Sequence, residues 1–324
     1  VPHHPLITGI LAPFSWVYGL ATGLRNYLYD QSLLPSYRPD IPVITVGNMI
    51  AGGTGKTPAV AWLAKELSGK YRVAVLSRGY RRKSKGFLVL DDRSTPFSAG
   101  DEPMELRMLL PGILIAVDRH RAHGIRELES GRYGQVDLVI MDDGFQHRKI
   151  SPGFSVVLDD SLRPMTKEKM LPAGLRREPL SGIRRADLVI RTVRQELSDS
   201  ELPEKPFLLV TGIAHPGPLV VQLSRSGRML AHLSYPDHHR YTRRDALTIR
   251  KTFGEAIQNQ GKDHPSGTPV ILTTGKDFVK LSGMPELAGL PLERIPYPPP
   301  LNPGDRNELL KKIHHYVDSI KRNS

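Results

Sequence analysis

A chain of 324 residues with 39% hydrophobic and 24% charged residues is long enough for two modest domains and has a globular rather than disordered composition. It contains no cysteine, which excludes a disulfide framework and a thiolate metal site. The formal net charge of +12 calls for an anionic partner: nucleic acid, a membrane surface or a phosphorylated substrate.

From Ile7 to Leu24 no charged residue occurs. The apolar positions Ile7, Ile10, Leu11, Phe14, Tyr18, Ala21, Leu24 and Leu28 keep the spacing of one helical face. Thr8, Pro13, Ser15, Thr22 and the glycines dilute the segment, so it predicts an amphipathic helix lying in a membrane interface or packed on the protein, not a spanning one. No basic n-region or small-residue cleavage site frames it, so a secretory signal is not expected.

Val43 to Thr57, VITVGNMIAGGTGKT, reads as a β-branched strand, a Gly-rich turn and a Gly-Lys-Thr start of a helix running through Ala59 to Leu67. That is the order of a phosphate-binding loop, whose backbone N–H groups must approach phosphate oxygens closely. Ile50, Ala51, Gly52, Gly53, Thr54, Gly55, Lys56 and Thr57 are the expected ATP-binding residues, with Lys56 on the β- and γ-phosphates and Thr57 on Mg²⁺. The standard spacing wants glycine at position 50, where this chain has Ile50.

Further apolar runs follow at Val73 to Leu76, Ile113 to Val117, Leu138 to Met141, Val156 to Leu158 and Leu188 to Ile190. Their alternation with helix-length segments predicts an α/β fold: a P-loop NTPase-like, largely parallel sheet flanked by helices. After a polar linker-like stretch, Arg194 to Pro206, runs at Phe207 to Val210 and Val270 to Thr273 predict a smaller second α/β domain. The expected division is 1–204 and 205–324, with an extended Pro-rich segment at Ile295 to Pro303 and a closing amphipathic helix at Asn307 to Ile320.

Ligands of such sheets sit at the carboxyl ends of the strands, which selects two acidic sites. The run ending in Asp142-Asp143 resembles a strand that delivers a carboxylate to Mg²⁺; the plainer reading is an Asp-Asp-Gly turn. At Gly100-Asp101-Glu102-Pro103 a carboxylate could act as base toward an attacking hydroxyl, or Asp101 could cap the following helix. Pro236 to Tyr241, PDHHRY, offers histidines that a hinged enzyme could carry across a cleft. No second His or Cys cluster has zinc-ligand spacing. Six basic residues and no acidic ones lie between Tyr71 and Gly86, and Arg176-Arg177, Arg184-Arg185 and Arg243-Arg244 follow. Such clusters beside a phosphate loop favour anion recruitment over a merely solvated face.

Taken in order, the segments RNYLYD (Arg25 to Asp30), VGNMIAGGTGKTP, LSRGYRRKSKG (Leu76 to Gly86), AGDEP (Ala99 to Pro103), MDDGFQHRK (Met141 to Lys149), LPAGLRREPL (Leu171 to Leu180), TGIAHP (Thr211 to Pro216) and YPDHHRYT (Tyr235 to Thr242) resemble the tetraacyldisaccharide 4'-kinase, or lipid A 4'-kinase, family over nearly the full length. The displaced loop glycine is shared with that family. The resemblance implies transfer of the ATP γ-phosphoryl group to the 4'-hydroxyl of lipid A disaccharide 1-phosphate, giving lipid IVA at the cytoplasmic face of the bacterial inner membrane, with the protein peripheral or monotopic on that anionic surface. It implies ATP and Mg²⁺, metal ligation by Thr57, Asp142 and Asp143, a catalytic pair of Asp101 and His238 with Glu102 close by, and Arg78, Arg119 and Arg177 as candidate substrate-binding residues. Gly275 in TTGKD stands where the family has a larger residue, and Gly217-Pro218 replaces a more usual charged pair. The competing readings are a membrane-recruited P-loop nucleotide switch or metallochaperone-type NTPase, which has no use for the AGDEP and PDHHRY segments, and a nucleic-acid-binding ATPase. With aromatics at 6% and no stacking-rich motif, no nucleic-acid partner is expected, and no obligate protein partner is predicted.

Overall fold

The computed structural model of the chain describes residues 5–193, 197–258, 267–296 and 298–323. Arg194–Glu196 of the expected linker, Tyr297 of the Pro-rich segment and the side chain of Ile7 lie outside the described residues. In chain order the elements are α1 (Pro5–Asp30), β1 (Val43–Gly47), α2 (Lys56–Ser68), β2 (Val73–Ser77), β3 (Leu88–Val89), α3 (Pro96–Ala99), α4 (Asp101–Leu109), β4 (Leu114–Val117), α5 (Arg121–Glu129), β5 (Leu138–Asp142), β6 (Phe154–Asp160), β7 (Leu188–Thr192), β8 (Phe207–Thr211), α6 (Gly217–Ser224), β9 (Met229–Ser234), α7 (Arg243–Gln258), β10 (Val270–Thr273), α8 (Gly275–Leu281), β11 (Leu292–Arg294) and α9 (Pro303–Asn323).

Strands β1, β2 and β5 are buried at every residue, as parallel strands covered on both faces must be. They form the centre of a seven-stranded sheet ordered β3-β4-β2-β5-β1-β6-β7, in which β3 alone runs antiparallel. β1 and β5 are direct neighbours, with Val46 level with Asp142. The phosphate loop and the acidic strand end therefore leave the sheet side by side.

A second sheet, β11-β10-β8-β9, is parallel throughout and packs on α7 through Leu208, Val210, Ala246, Ile249 and Ile271. β9 and β11 are only partly buried and lack a continuous apolar run, which is why the sequence does not announce them. The final helix, expected within the 205–324 unit, contributes Leu309, Ile313 and Val317 to the core of the first sheet. Its four-residue apolar spacing matches the surface of that sheet's helical layer, where Val60, Leu63 and Leu67 belong to the same cluster.

Helix α1 is longer than expected and turns its polar side inward. Ser15 donates to the Met170 carbonyl (3.0 Å) and accepts from the Ala173 N–H (2.9 Å), and Asn26 donates to Glu178 (2.6 Å). Tyr18, read as part of the apolar stripe, instead donates its hydroxyl to the Arg177 carbonyl at 3.0 Å. Ile10, Phe14, Trp16, Val17, Leu20, Leu24 and Tyr27 all face outward, with Ile10 and Trp16 each 72% exposed.

Candidate active site

The phosphate loop starts from an apolar footing. Ile50 is buried among Met49, Phe145, Val157 and Met165, and it bridges to Arg176 while the Ala51 N–H donates to the Leu175 carbonyl at 2.8 Å. An isoleucine suits this position because its side chain is packed, not pointed at a ligand. The left-handed conformations fall at Gly52 (φ 122°) and Gly55 (φ 77°), where a Cβ would be strained. Asn48 donates to the Thr54 hydroxyl at 2.7 Å and steadies the loop from within. Lys56 and Thr57 open α2, whose N-terminal N–H groups make a ready anion site.

At the end of β5, Asp142 is 2% exposed; Ser77 donates to its Oδ2 at 3.1 Å, while its Oδ1 has no hydrogen-bond partner. Burial, together with Glu102 and Asp143, pushes this carboxyl up to about 6. Asp143 sits at φ 50° and receives Arg177 Nη1 at 2.9 and 3.0 Å, with Lys56 at 3.6 Å. Burial opposes its ionisation, but Lys56 and Arg177 outweigh burial and hold it below the usual carboxylate range. An orphaned, buried carboxylate oxygen beside a phosphate loop fits a hard divalent cation. Among the described residues no three His, Asp or Glu side chains gather into a complete metal cage. Mg²⁺ commonly takes one or two carboxylates and completes its shell with phosphates and water.

Across the cleft, Gly100 (φ 98°) is the N-cap of α4, so Asp101 and Glu102 are its first helical residues and Asp101 is not its cap. Both side chains reach the second sheet's elements instead. His238 Nδ1 lies 3.6 Å from Asp101 Oδ2, Lys280 donates to the same oxygen at 3.0 Å, and Lys276 donates to Glu102 at 2.9 Å. Burial works against Asp101, yet His238 and Lys280 carry its carboxyl below the ordinary range; Glu102 is likewise lowered by Lys276 against its own burial. His238 is held at φ 56°, and the Tyr80 ring stands edge-on to it at 6.2 Å. Two predicted site residues, Asp143 and His238, thus occupy left-handed backbone, the kind of strain that gathers at functional positions. One turn along α4, burial pushes Glu105 up to about 7, its Oε2 has no partner, and a Cβ on Gly275 would collide with it. The glycine in TTGKD leaves room for that carboxyl.

Arg78 and Arg119 are exposed just after β2 and β4, at the carboxyl edge, whereas Arg177 is engaged with Asp143. Sequence reasoning missed four residues nearby. Arg121 is 1% exposed and donates to the Asp142 and Asp118 carbonyls (3.0 and 2.9 Å); burial pushes its guanidinium down to about 10. His147 is pushed down to about 4 by burial and by Arg121, Arg78, Arg25 and Lys149, which marks a pocket of positive potential. Lys276 and Lys280 were legible only as a four-residue spacing that places two cations on one helix face, matching the adjacent acids of α4.

A parallel sheet that offers a phosphate loop and neighbouring carboxylates at one edge is the architecture of P-loop nucleotide-binding enzymes. The family model for tetraacyldisaccharide-1-P 4'-kinase, LpxK, matches residues 7–314, and the chain belongs to that family. It is similar to the tetraacyldisaccharide 4'-kinases of Parabacteroides distasonis (36% identity, covering 86% of this chain and 85% of the relative) and Phocaeicola vulgatus (36%, covering 97% and 96%). A crystal structure of LpxK from Aquifex aeolicus in complex with ATP matches with a TM-score of 0.76 at 30% identity, covering 96% of this chain and 99% of that one.

Proposed function

We propose that this kinase transfers the γ-phosphoryl group of ATP to the 4'-hydroxyl of a tetraacylated glucosamine disaccharide 1-phosphate, yielding lipid IVA at the cytoplasmic face of the inner membrane. The observation that carries the reading is the meeting of His238 with Asp101 from opposite sheets. A nucleotide switch or metallochaperone has no use for such a pair. The backbone from Ile50 to Thr57 receives the ATP phosphates, with Lys56 next to them. Thr57 and Asp142 would hold Mg²⁺, with Asp143 paired to Lys56 and Arg177 beside it. Bound there, Mg²⁺ neutralises charge on the β- and γ-phosphates.

With Nδ1 turned to Asp101, the Nε2 of His238 is the nitrogen left to accept the hydroxyl proton. The 4'-oxygen then forms its bond to the γ-phosphorus as the bond to the β-phosphate oxygen breaks and ADP leaves. Phosphoryl transfer is loose, so orientation and charge neutralisation carry more of the rate than the base. Arg78 and Arg119, with the positive pocket around His147, suit the 1-phosphate of the acceptor. The outward apolar side of α1 seats the protein on the bilayer without crossing it: among the described residues no helix is long and apolar enough to span. A boundary near residue 204 separates the phosphate-loop unit, to which α9 returns through Leu309, Ile313 and Val317, from the smaller unit built on the second sheet.

The test is transfer of label from γ-labelled Mg-ATP to the disaccharide 1-phosphate in detergent micelles. Labelled lipid supports the reading; robust ATP hydrolysis with no label in the lipid sinks it.

A further inference from the structure

The Asp101–His238 pair has a third member. Asp101 Oδ2 is closer to Lys280 Nζ (3.0 Å) than to His238 Nδ1 (3.6 Å), so the imidazole shares its carboxylate with a cation from α8. Lys280 is 10% exposed, and its ammonium also lies 3.8 Å from Oδ1 of Asp277, a side chain with no exposure at all. That oxygen has no hydrogen-bond partner, and the lysine charge lies within reach to compensate it.

Asp277 is tied to three parts of the second sheet's framework. Its Oδ2 accepts the Gly212 N–H after β8 and the Thr274 hydroxyl at the start of α8, each at 2.7 Å. Tyr241, three residues beyond His238, is buried against it, and burial together with Asp277 raises the phenol. Lys280 is therefore fixed by the same carboxylate that anchors the β8 loop and the chain leading from His238. Four residues earlier on the same face of α8, Lys276 pairs with Glu102. One helix thus sets two ammonium groups against the two adjacent acids at the first turn of α4.

We propose that Lys280 is a positioning residue for phosphoryl transfer: it locks the Asp101 carboxylate toward His238, so that the pair is complete only when α8 is docked on α4. The inference rests on the kinase reading above. Without Lys280, Asp101 keeps one long contact to His238 and is free to turn away, while ATP still meets an intact phosphate loop on the first sheet.

The experiment measures label transfer from γ-labelled Mg-ATP to the disaccharide 1-phosphate in micelles, with both substrates varied. Lys280→Met should lower kcat by ~30-fold or more and leave KM for ATP within ~3-fold, because the lost interaction acts on transfer and not on nucleotide binding. Lys280→Arg should recover at least ~5-fold of that loss, since it restores a cation that can reach a carboxylate. In an Asp101→Asn background, Lys280→Met should lower kcat by less than ~3-fold further, because groups that act as a unit do not multiply. Lys280→Met leaves two carboxylates facing one another, so Lys280→Met/Asp277→Asn is measured beside it; the same kcat loss is expected in a chain relieved of that repulsion. A kcat for Lys280→Met within about twofold of the parent, a loss confined to KM, or full multiplication with Asp101→Asn would overturn the proposal. A parent that transfers no label removes the kinase reading itself, an outcome distinct from these.

Discussion

On the first-sheet side of the cleft, Asp142 ends a strand hydrogen-bonded on both edges and buried along its whole length. On the other side, His238 rides a loop between β9 and α7, half-buried, and meets Asp101 at 3.6 Å across the seam between the two sheets' elements. The groups proposed to face phosphate and metal stand at the ends of the buried central strands. The base proposed for the acceptor hydroxyl stands on a loop of the second sheet's unit. In the proposed mechanism that division lets closure complete the site after a large lipid and ATP are seated.

If the division holds, substitutions on the two sides should separate in kinetics. Asp142→Asn should have the largest effect, a ~10³–10⁵-fold fall in kcat with a raised Mg²⁺ requirement, since metal-held charge is worth several kcal/mol in the transition state. Steady-state rates across a Mg²⁺ series check it; an unchanged Mg²⁺ dependence would count against Asp142 as ligand. His238→Ala should lower kcat by ~10²–10⁴-fold and leave ATP binding almost intact. Activity within about twofold of the parent would deny His238 its role as base.

The seam between the halves gives a sharper probe. Glu105, whose Oε2 is buried there, has its carboxyl raised from 4.5 to about 7, so between those values the folded chain holds a proton that the unfolded chain has released. The stabilisation is present in full below about 4.5 and is lost as pH rises through about 7, amounting to at most about 3 kcal/mol. Urea unfolding of Glu105→Gln should show a weaker fall in stability across that window than the parent; equal slopes would contradict the assignment. The smallest effect is expected on the outward apolar side of α1. Phe14→Glu with Leu20→Glu should weaken co-sedimentation with anionic vesicles by ~10-fold or more while leaving kcat on a short-chain soluble acceptor unchanged. Undiminished sedimentation would deny α1 its docking role.

Legibility in the sequence follows the same line. Features made by neighbours in the chain, such as the Gly-Lys-Thr turn, the Asp142-Asp143 strand end and the buried strands of the first sheet, leave patterns over a few residues. Lys276 and Glu102 are 174 positions apart, and their meeting depends on α8 packing against α4, which no local pattern encodes. The same holds for α9, whose apolar spacing predicts a helix but not the sheet it returns to. Ile50 shows how a local rule can mislead: the loop pattern asks for glycine, and the packing around Met165 and Val157 explains why a large side chain stands there.

The central claim is the position of the new phosphate. ³¹P NMR of the lipid recovered after reaction with Mg-ATP should show a second phosphomonoester coupled to the proton on carbon 4', with the original 1-phosphate intact. Inorganic phosphate alone, or a phosphomonoester on any other carbon, would contradict the account.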